Sequence, residues 1–430
     1  FIREILIIRA EGANNTHKLS GKRTVEIKLW KMSFSSTEGA KFSTKLSGKK
    51  DRGVKKRVLL SSNLKKLFLN KFHEDNGAKF VPFAGYSMPI NYPDGILKEH
   101  LHTRQYASLF DVSHMGQIVI ESNSENINEL KKIIPLDFEN IKINKCYYSF
   151  ILNKNGGIID DIILSKIRLN DLEKIFIVYN SSRKSIDEKI FFEITKDSKI
   201  LIKNSLIALQ GPKSSKILSN FDKKIKLIKF MENTCFNFLN QKIIISRTGY
   251  TGEDGFELSI PNNIIFEFIN ELMNYKEIKL CGLGCRDSLR LEAGLSLYGN
   301  ELNENLSPIQ AGLHWAISKK RLTEGGFYGH KIILDQLNKN DFKKKIGIIA
   351  INKSMLRSKM KLLSANGNEI GEITSGCYSP ILNKSIAIAF IDNLFEKSSQ
   401  KIFCFIRNKM EEVTISSLPF IKNNYYRGEK

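Results

Sequence analysis

The sequence predicts an α+β fold, on three observations. Between residues 119 and 204, short apolar strand-like runs alternate with amphipathic helical stretches. Residues 205–310 repeat that mixture. From about residue 341 the chain turns β-rich, with short strands punctuated by Gly367, Gly371, Gly376, Pro380 and Asn383, as in a small barrel or sandwich. At 430 residues, 42% hydrophobic and 26% charged, the chain has material for two or three domains and a sizeable core. No window approaches the roughly 18 apolar residues that a membrane helix needs.

The elements follow in order. Leu64, Leu67, Phe68 and Phe72 recur at helical spacing and Gly77 supplies a stop, so a helix is expected over 64–77. A second helix is expected over 95–108, then a strand over 110–120. Ile127, Leu130, Ile133 and Ile134 place a helix over 124–134. Strands are expected over 147–152 and 158–167, joined by Asn155-Gly156-Gly157, a strong turn signal. A strand over 175–179 leads to a helix near 183–194. Further on, a helix over 285–293 is ended by Gly294.

Charge is uneven. Residues 1–60 hold 15 Lys/Arg against 5 Asp/Glu, so ten of the net +22 charges come from this arm. Such an excess fits acidic partners, and it fits equally well lysines scattered on solvated faces. No RNA-binding signature or zinc-finger spacing is present, so nucleic acid is not an expected partner. The arm over 1–61 is basic, Ser/Thr-bearing and short of apolar periodicity, which reads as an organelle transit segment or a species-specific disordered arm. The six cysteines fit neither a disulfide framework nor zinc: Cys281 and Cys285 form C-x3-C, but no second pair or nearby His completes a tetrahedron. No metal is expected.

Two segments carry candidate chemistry. In Arg247-Thr-Gly-Tyr250-Thr-Gly-Glu-Asp-Gly-Phe-Glu257, three glycines spaced by three surround Tyr250 and run into a strand bearing Glu257. A carboxylate accepts two N–H bonds and a tyrosine offers a flat face, so this pattern suits a ring with N–H donors. A solvated turn before an edge strand accounts for it as well. In Asn155-Gly-Gly-Ile-Ile-Asp160-Asp161, successive side chains point to opposite faces, so Asp160 and Asp161 cannot share one. An aspartate in so apolar a run is costly unless hydrogen-bonded or functional, the alternative being that both sit in a solvated turn.

These segments stand in a series. Phe83-Ala-Gly-Tyr-Ser-Met-Pro-Ile-Asn-Tyr92, Leu109-Phe-Asp-Val-Ser-His-Met-Gly116, the Asp160-Asp161 segment, Leu209-Gln-Gly-Pro212, the Gly-rich turn and Gly282-Leu-Gly-Cys-Arg-Asp-Ser-Leu-Arg-Leu-Glu-Ala-Gly294 follow one another. In that order they resemble the T protein of the glycine cleavage system, a tetrahydrofolate-dependent aminomethyltransferase, from about Leu64 to Arg427. The resemblance implies a three-domain cloverleaf around a central folate funnel. Its domains would be 62–118 plus 205–330 (discontinuous), 119–204, and a C-terminal β-barrel over 331–430.

It also implies an activity. An aminomethyl group arrives on the lipoyl arm of H protein, N5 of tetrahydrofolate attacks it, ammonia leaves, and 5,10-methylenetetrahydrofolate forms. By the same resemblance Asp161 is the essential carboxylate, acting to orient folate, to stabilise a cationic intermediate or to accept a proton. Glu257 pairs with the pterin, beside Tyr250, Asn180 and Tyr148. Met115 and Arg286 belong to the substrate site, and Tyr425 and Arg427 of the terminal Asn424-Tyr-Tyr-Arg-Gly428 reach back to the ligand. A salt bridge from Arg286 to Asp287 or Glu292, core packing of the tyrosines and a frayed terminus compete with these roles. Residence in the mitochondrial matrix is implied too.

Three other readings compete. A folate-binding relative without transferase activity would carry a Lys-Gly-Cys-Tyr-type motif, and the chain has Leu297-Tyr-Gly-Asn-Glu301 there. A demethylating flavoenzyme needs a dinucleotide-binding domain upstream, which 60 residues cannot supply. Nucleic-acid binding rests on charge alone.

Overall fold

Ile-, Leu- and Phe-rich strands that alternate with polar positions build three large sheets. The structure is a computed structural model, and it describes residues 64–428 apart from Asn340 and residues 397–399. The arm over 1–61, and with it the expected transit segment, lies outside the described residues.

One sheet has six strands in the order Asn233–Phe238, Gln241–Ser246, Gly255–Pro261, Asn204–Gln210, Ala107–Asp111 and Ile278–Leu280. Its members are antiparallel except the last, which runs parallel to Ala107–Asp111. Ile207, Leu209, Leu258 and Ile260 pack from one face onto Phe268, Ile269 and Leu272 of the helix Ile265–Met273. The second sheet is antiparallel, with order Cys146–Leu152, Ile158–Leu169, Leu172–Tyr179, Gly116–Glu121 and Lys199–Ile200. Ile118, Ile162, Leu164 and Ile177 pack there with Leu130 and Ile133 of the helix Ser124–Ile133 and Phe191 of the helix Lys184–Ile194.

The third sheet closes on itself. Its six strands run Lys344–Ala350, Lys384–Ile391, Glu369–Ser379, Lys361–Ser364, Ile402–Ile406 and Lys409–Ser416, with the last paired back to the first. Ile348, Ile373, Ala387, Ala389, Cys404 and Val413 fill the interior. Closure leaves this sheet without free edges. The β-rich reading of the C-terminal sequence is therefore a six-stranded barrel.

The turn signal at Asn155-Gly156-Gly157 has a steric basis. Gly156 lies at φ +77°, and Asn153 Oδ1 accepts from the backbone N–H groups of Asn155 and Gly157. A β-carbon on Gly157 would stand 1.8 Å from the carbonyl oxygen of Glu304. The turn is thus pressed against the loop that follows the Leu283–Glu292 helix.

Three sequence expectations are corrected. The helix expected over 64–77 is confined to Asn70–Asp75, because Lys65–Lys66 pairs in parallel with the strand Tyr86–Asn91. Leu67 and Leu69 are buried while Phe68 is exposed, and Asn70 N–H bonds Leu67 O at 3.1 Å, so the chain turns at 68–69 before the helix begins. The strand expected over 110–120 is two strands, Ala107–Asp111 and Gly116–Glu121. Asp111 Oδ1 accepts from the backbone of Ser113, and Met115 N–H bonds to Val112 O, so the chain turns and changes sheets there. The helix expected over 95–108 ends earlier, at Gly95–Gln105.

One ion-pair knot ties the barrel to the rest. Arg290, on the Leu283–Glu292 helix, is fully buried. It donates to Asp287 at 2.9 Å, to Glu301 at 3.1 Å and to Ser375 Oγ of the barrel at 2.8 Å. Glu301 also accepts from Thr374 and from Ser375 at 2.7 Å. Beside the knot, Leu291 packs on Ile386 and Ile388 of the barrel. Removing one partner of a buried pair leaves the other unpaired, so Arg290→Ala is expected to cost about 3–5 kcal/mol. Urea unfolding measures this, and a loss of under about 1 kcal/mol would show the pair to be incidental.

Candidate functional site

Asp160 and Asp161 lie near the start of the Ile158–Leu169 strand, inside the second sheet and not in a solvated turn. The two side chains leave opposite faces, as alternation requires: Asp160 is fully buried and Asp161 half-buried. Tyr148, diagonal to Asp161 across the pair Phe150–Asp161, donates its hydroxyl to Asp161 Oδ2 at 3.0 Å.

Asn180 follows the Leu172–Tyr179 strand and joins the two aspartates. Its backbone N–H bonds Asp160 Oδ2 at 2.8 Å. Its Nδ2 lies 2.9 Å from Asp160 Oδ1 and 2.7 Å from Asp161 Oδ1. Burial and the neighbouring Asp160 charge push the Asp161 carboxyl up to about 7. Such a group can give or take a proton at neutral pH.

The Gly-rich turn forms a second wall. Its strand, Gly255–Pro261, lies inside the first sheet between Asn204–Gln210 and Gln241–Ser246, so the edge-strand alternative fails. The glycines admit Gln210: a β-carbon on Gly249 or Gly255 would come within 1.9 or 2.6 Å of its amide. Gln210 Nε2 bonds the carbonyls of Thr248 at 3.0 Å and Phe256 at 3.2 Å. Glu257 is half-buried and accepts from Thr248 Oγ1 at 2.7 Å. The Tyr250 hydroxyl donates to the carbonyl of Ser296, and the Arg286 guanidinium lies 4.8 Å from the Tyr250 ring centre. Asp287 pairs with Arg290, while Nη1 of Arg286 is shielded and has no hydrogen-bond partner. Burial lowers the Arg286 pKa against the pull of Glu257.

The remaining expected residues sit around these walls. Met115 is half-buried against Phe110, Val112, Cys285 and Leu289. The tail is anchored rather than frayed: Asn424 N–H bonds Gly252 O at 2.8 Å, and Phe230 N–H bonds Tyr426 O at 2.7 Å. Tyr425 stacks on Phe230 with centroids 3.9 Å apart, and Arg427 lies 5.3 Å from the same ring. Tyr425 and Arg427 are thus brought to Phe230 and the Gly-rich turn, with no bond to Asp161, Glu257 or Asn180.

Comparison with known proteins decides the family. Residues 69–321 match the GCVT N-terminal domain, and residues 343–422 match the glycine cleavage T-protein C-terminal barrel domain. The chain belongs to the glycine cleavage T-protein family. It is 40% identical over 392 residues to the mitochondrial aminomethyltransferase of Dictyostelium discoideum, covering 86% of this chain and 96% of that protein. It is 38% identical to that of Pisum sativum, covering 88% and 95%. The crystal structure of the glycine cleavage system aminomethyltransferase T from Bartonella henselae superposes with a TM-score of 0.79 at 36% identity, covering 84% of this chain and 99% of that one. The chain is accordingly an aminomethyltransferase of the glycine cleavage system, a mitochondrial one-carbon transferase.

Sequence reasoning missed several groups around the site. Asp187, on the Lys184–Ile194 helix, lies buried against Asp160. Lys345 of the barrel donates to Ser296 Oγ at 2.9 Å, and burial lowers it to about 8. Nothing in the run Lys343-Lys344-Lys345 singles it out. Trp315, 64% exposed, stacks on Tyr148 with centroids 5.6 Å apart. Glu99 lies beside Cys281 and Cys285, all three buried. Its two oxygens already accept the backbone N–H groups of Tyr92 at 2.6 Å and Gly282 at 3.0 Å, so this trio serves as a packing knot.

The raised Asp161 pKa sets a pH-dependent stability. Below an unfolded pKa of about 3.9 the carboxyl is neutral in both states and costs nothing. Between that value and about 7 the unfolded chain releases its proton while the folded chain retains it, so stability falls as pH rises; above 7 the penalty is complete. Asp161→Asn should therefore stabilise the fold by on the order of 4 kcal/mol at pH 8, with the gain vanishing near pH 4. Urea titrations at the two pH values measure it, and an equal gain at both would refute the cause.

Proposed function

We propose that the site takes an aminomethyl group from the lipoyl arm of H protein and transfers it to tetrahydrofolate. Ammonia is released and 5,10-methylenetetrahydrofolate forms in the mitochondrial matrix. The observation that carries this reading is the near-neutral Asp161 carboxyl, held by Tyr148 and Asn180 in a chain of this family.

Each residue then has a task. Glu257 faces the guanidine-like edge of the pterin and accepts two N–H bonds, as only a carboxylate does well. Tyr250 supplies a flat wall, and the unpartnered Arg286 Nη1 supplies a donor to the co-substrate. Asn180 spends its amide N–H groups on the aspartates and offers its carbonyl oxygen to the pterin. Met115 adds apolar contact near the ring. Tyr425 and Arg427 sit with the terminal segment, where a guanidinium suits the glutamate carboxylates of folate.

Asp161 stands at the reacting edge. Ionised, it stabilises the positive charge that develops on the aminomethyl carbon as the carbon–sulfur bond breaks. The sulfur leaves as the lipoyl thiolate, and Asp161 accepts the proton that N5 loses as the new carbon–nitrogen bond forms and passes it to that thiolate. N10 then displaces the amine from the same carbon and yields its own proton to it, so ammonia leaves and the 5,10-methylene bridge closes. Holding folate and the lipoyl arm together contributes further by converting a bimolecular step into a local one. The domains follow the same reading: 62–118 with 205–330, 119–204, and 331–430 surround the funnel.

Two variants test the assignment. Asp161→Asn is expected to bind tetrahydrofolate normally by calorimetry and to lose at least about 100-fold in turnover with aminomethylated H protein. Wild-type turnover would remove Asp161 from catalysis. Glu257→Ala is expected to weaken folate about 10- to 100-fold, the worth of a charged hydrogen-bond pair. Unchanged affinity would make Glu257 structural.

A further inference from the structure

Behind the Asp160–Asn180–Asp161 cluster lies a third carboxyl group without an assigned role. Asp187 is fully buried on the Lys184–Ile194 helix, and neither of its oxygens has a hydrogen-bond donor in reach. A bare carboxylate there would cost several kcal/mol, whereas a neutral acid costs far less. A neutral Asp187 needs one acceptor for its proton, and Asp160 lies within hydrogen-bond reach. Asp160 already accepts two N–H bonds from Asn180. A third donor makes the anion its favoured form despite burial.

The surroundings agree with that division of charge. Asp160 and Asp161 face Asp187 from the Ile158–Leu169 strand, and Tyr179 faces it from the neighbouring strand. Arg183 and Glu188 flank it on its own segment, and Tyr298 reaches it from the loop after the Leu283–Glu292 helix. The one cation among them, Arg183, is drawn off to Glu304 and lies 5.1 Å from the Tyr298 ring centre. Burial first, and the Asp160 charge second, push Asp187 far above the usual carboxylate range.

We propose that Asp187 is a positioning residue: as a neutral acid it donates to Asp160, keeps Asp160 an anion behind Asp161, and so holds Asp161 poised between its two charge states. Asp187 touches no substrate in this arrangement. It acts through Asp160 and the shared Asn180 amide. The inference rests on the reading of Asp161 as the reacting carboxylate.

The test compares two substitutions in the full chain. Asp187→Asn retains an N–H donor to Asp160, so the acid limb of the pH–kcat profile should stay within about 0.3 unit of wild type. Asp187→Leu removes the donor, Asp160 takes up a proton, and the acid limb should move down by about one unit as Asp161 loses its neighbouring charge. If Asp187→Leu does not fold, Asp160→Asn removes the same charge directly and should move the limb the same way. Limbs that shift alike in the Asn and Leu variants, or in neither, would overturn the proposal.

A second readout needs no turnover. In the infrared difference between wild type and Asp187→Asn at pH 8, a carboxylic-acid carbonyl band should be lost. A carboxylate band lost in its place would overturn the proposal. If the acid band is found while Asp161→Asn keeps full turnover, the role of Asp161 fails and the neutral Asp187 stands.

Discussion

One amide side chain, that of Asn180, holds the two aspartates of the candidate site in place. It sits where the Leu172–Tyr179 strand ends, and it reaches two carboxylates that leave opposite faces of the adjacent strand. Without it, two neighbouring and largely buried aspartates would lose the donor they share, and mutual repulsion would favour protonation of one of them. With it, one carboxylate is fixed on the buried face of the strand and the other, half-buried, leaves the opposite face. The antiparallel pairing of Cys146–Leu152, Ile158–Leu169 and Leu172–Tyr179 supplies the rigidity that this arrangement needs.

The two walls are built by different means. The aspartate wall is electrostatic: few donors, much burial, and charge states pushed toward neutrality. The Gly-rich wall is steric. Its glycines let Gln210 enter the turn, and that insertion carries Tyr250 and Glu257 to their places. Arg247 locks the turn from below, pairing with Asp254 at 2.6 Å and lying 4.2 Å from the ring centre of Tyr426. The terminal segment thereby becomes part of the wall. A buried carboxyl held near neutral pH is costly to the fold, the kind of cost that proteins carry at working sites.

Much of this was legible in the sequence. Periodicity placed the Ser124–Ile133 helix, the two strands around Gly156 and the β-rich end because those segments bury one face along their whole length. It misjudged 64–77, where a parallel strand pair at Lys65–Lys66 and a turn at 68–69 precede the helix and bury Leu67 and Leu69. It ran through Val112–Met115, where an aspartate side chain rather than a glycine makes the turn. Among site residues, the Gly-rich pattern itself singled out Tyr250 and Glu257, alternation put Asp160 and Asp161 on opposite faces, and family resemblance supplied Asn180 and the choice of Asp161. Asp187 and Lys345 were invisible because one of several charged residues on an amphipathic helix and a lysine in a basic run carry no local signal. Only the fold reveals that each is buried next to the site.

The stacking of Trp315 on Tyr148 has an optical consequence. The chain has two tryptophans, and the other, Trp30, lies outside the described residues. An indole in contact with the tyrosine that bonds Asp161 is a native chromophore two side chains from the Asp161 carboxylate. Its emission follows the polarity and charge of that corner. Occupancy and protonation there are open to spectroscopy without any label, once the emission of Trp30 has been removed by substitution.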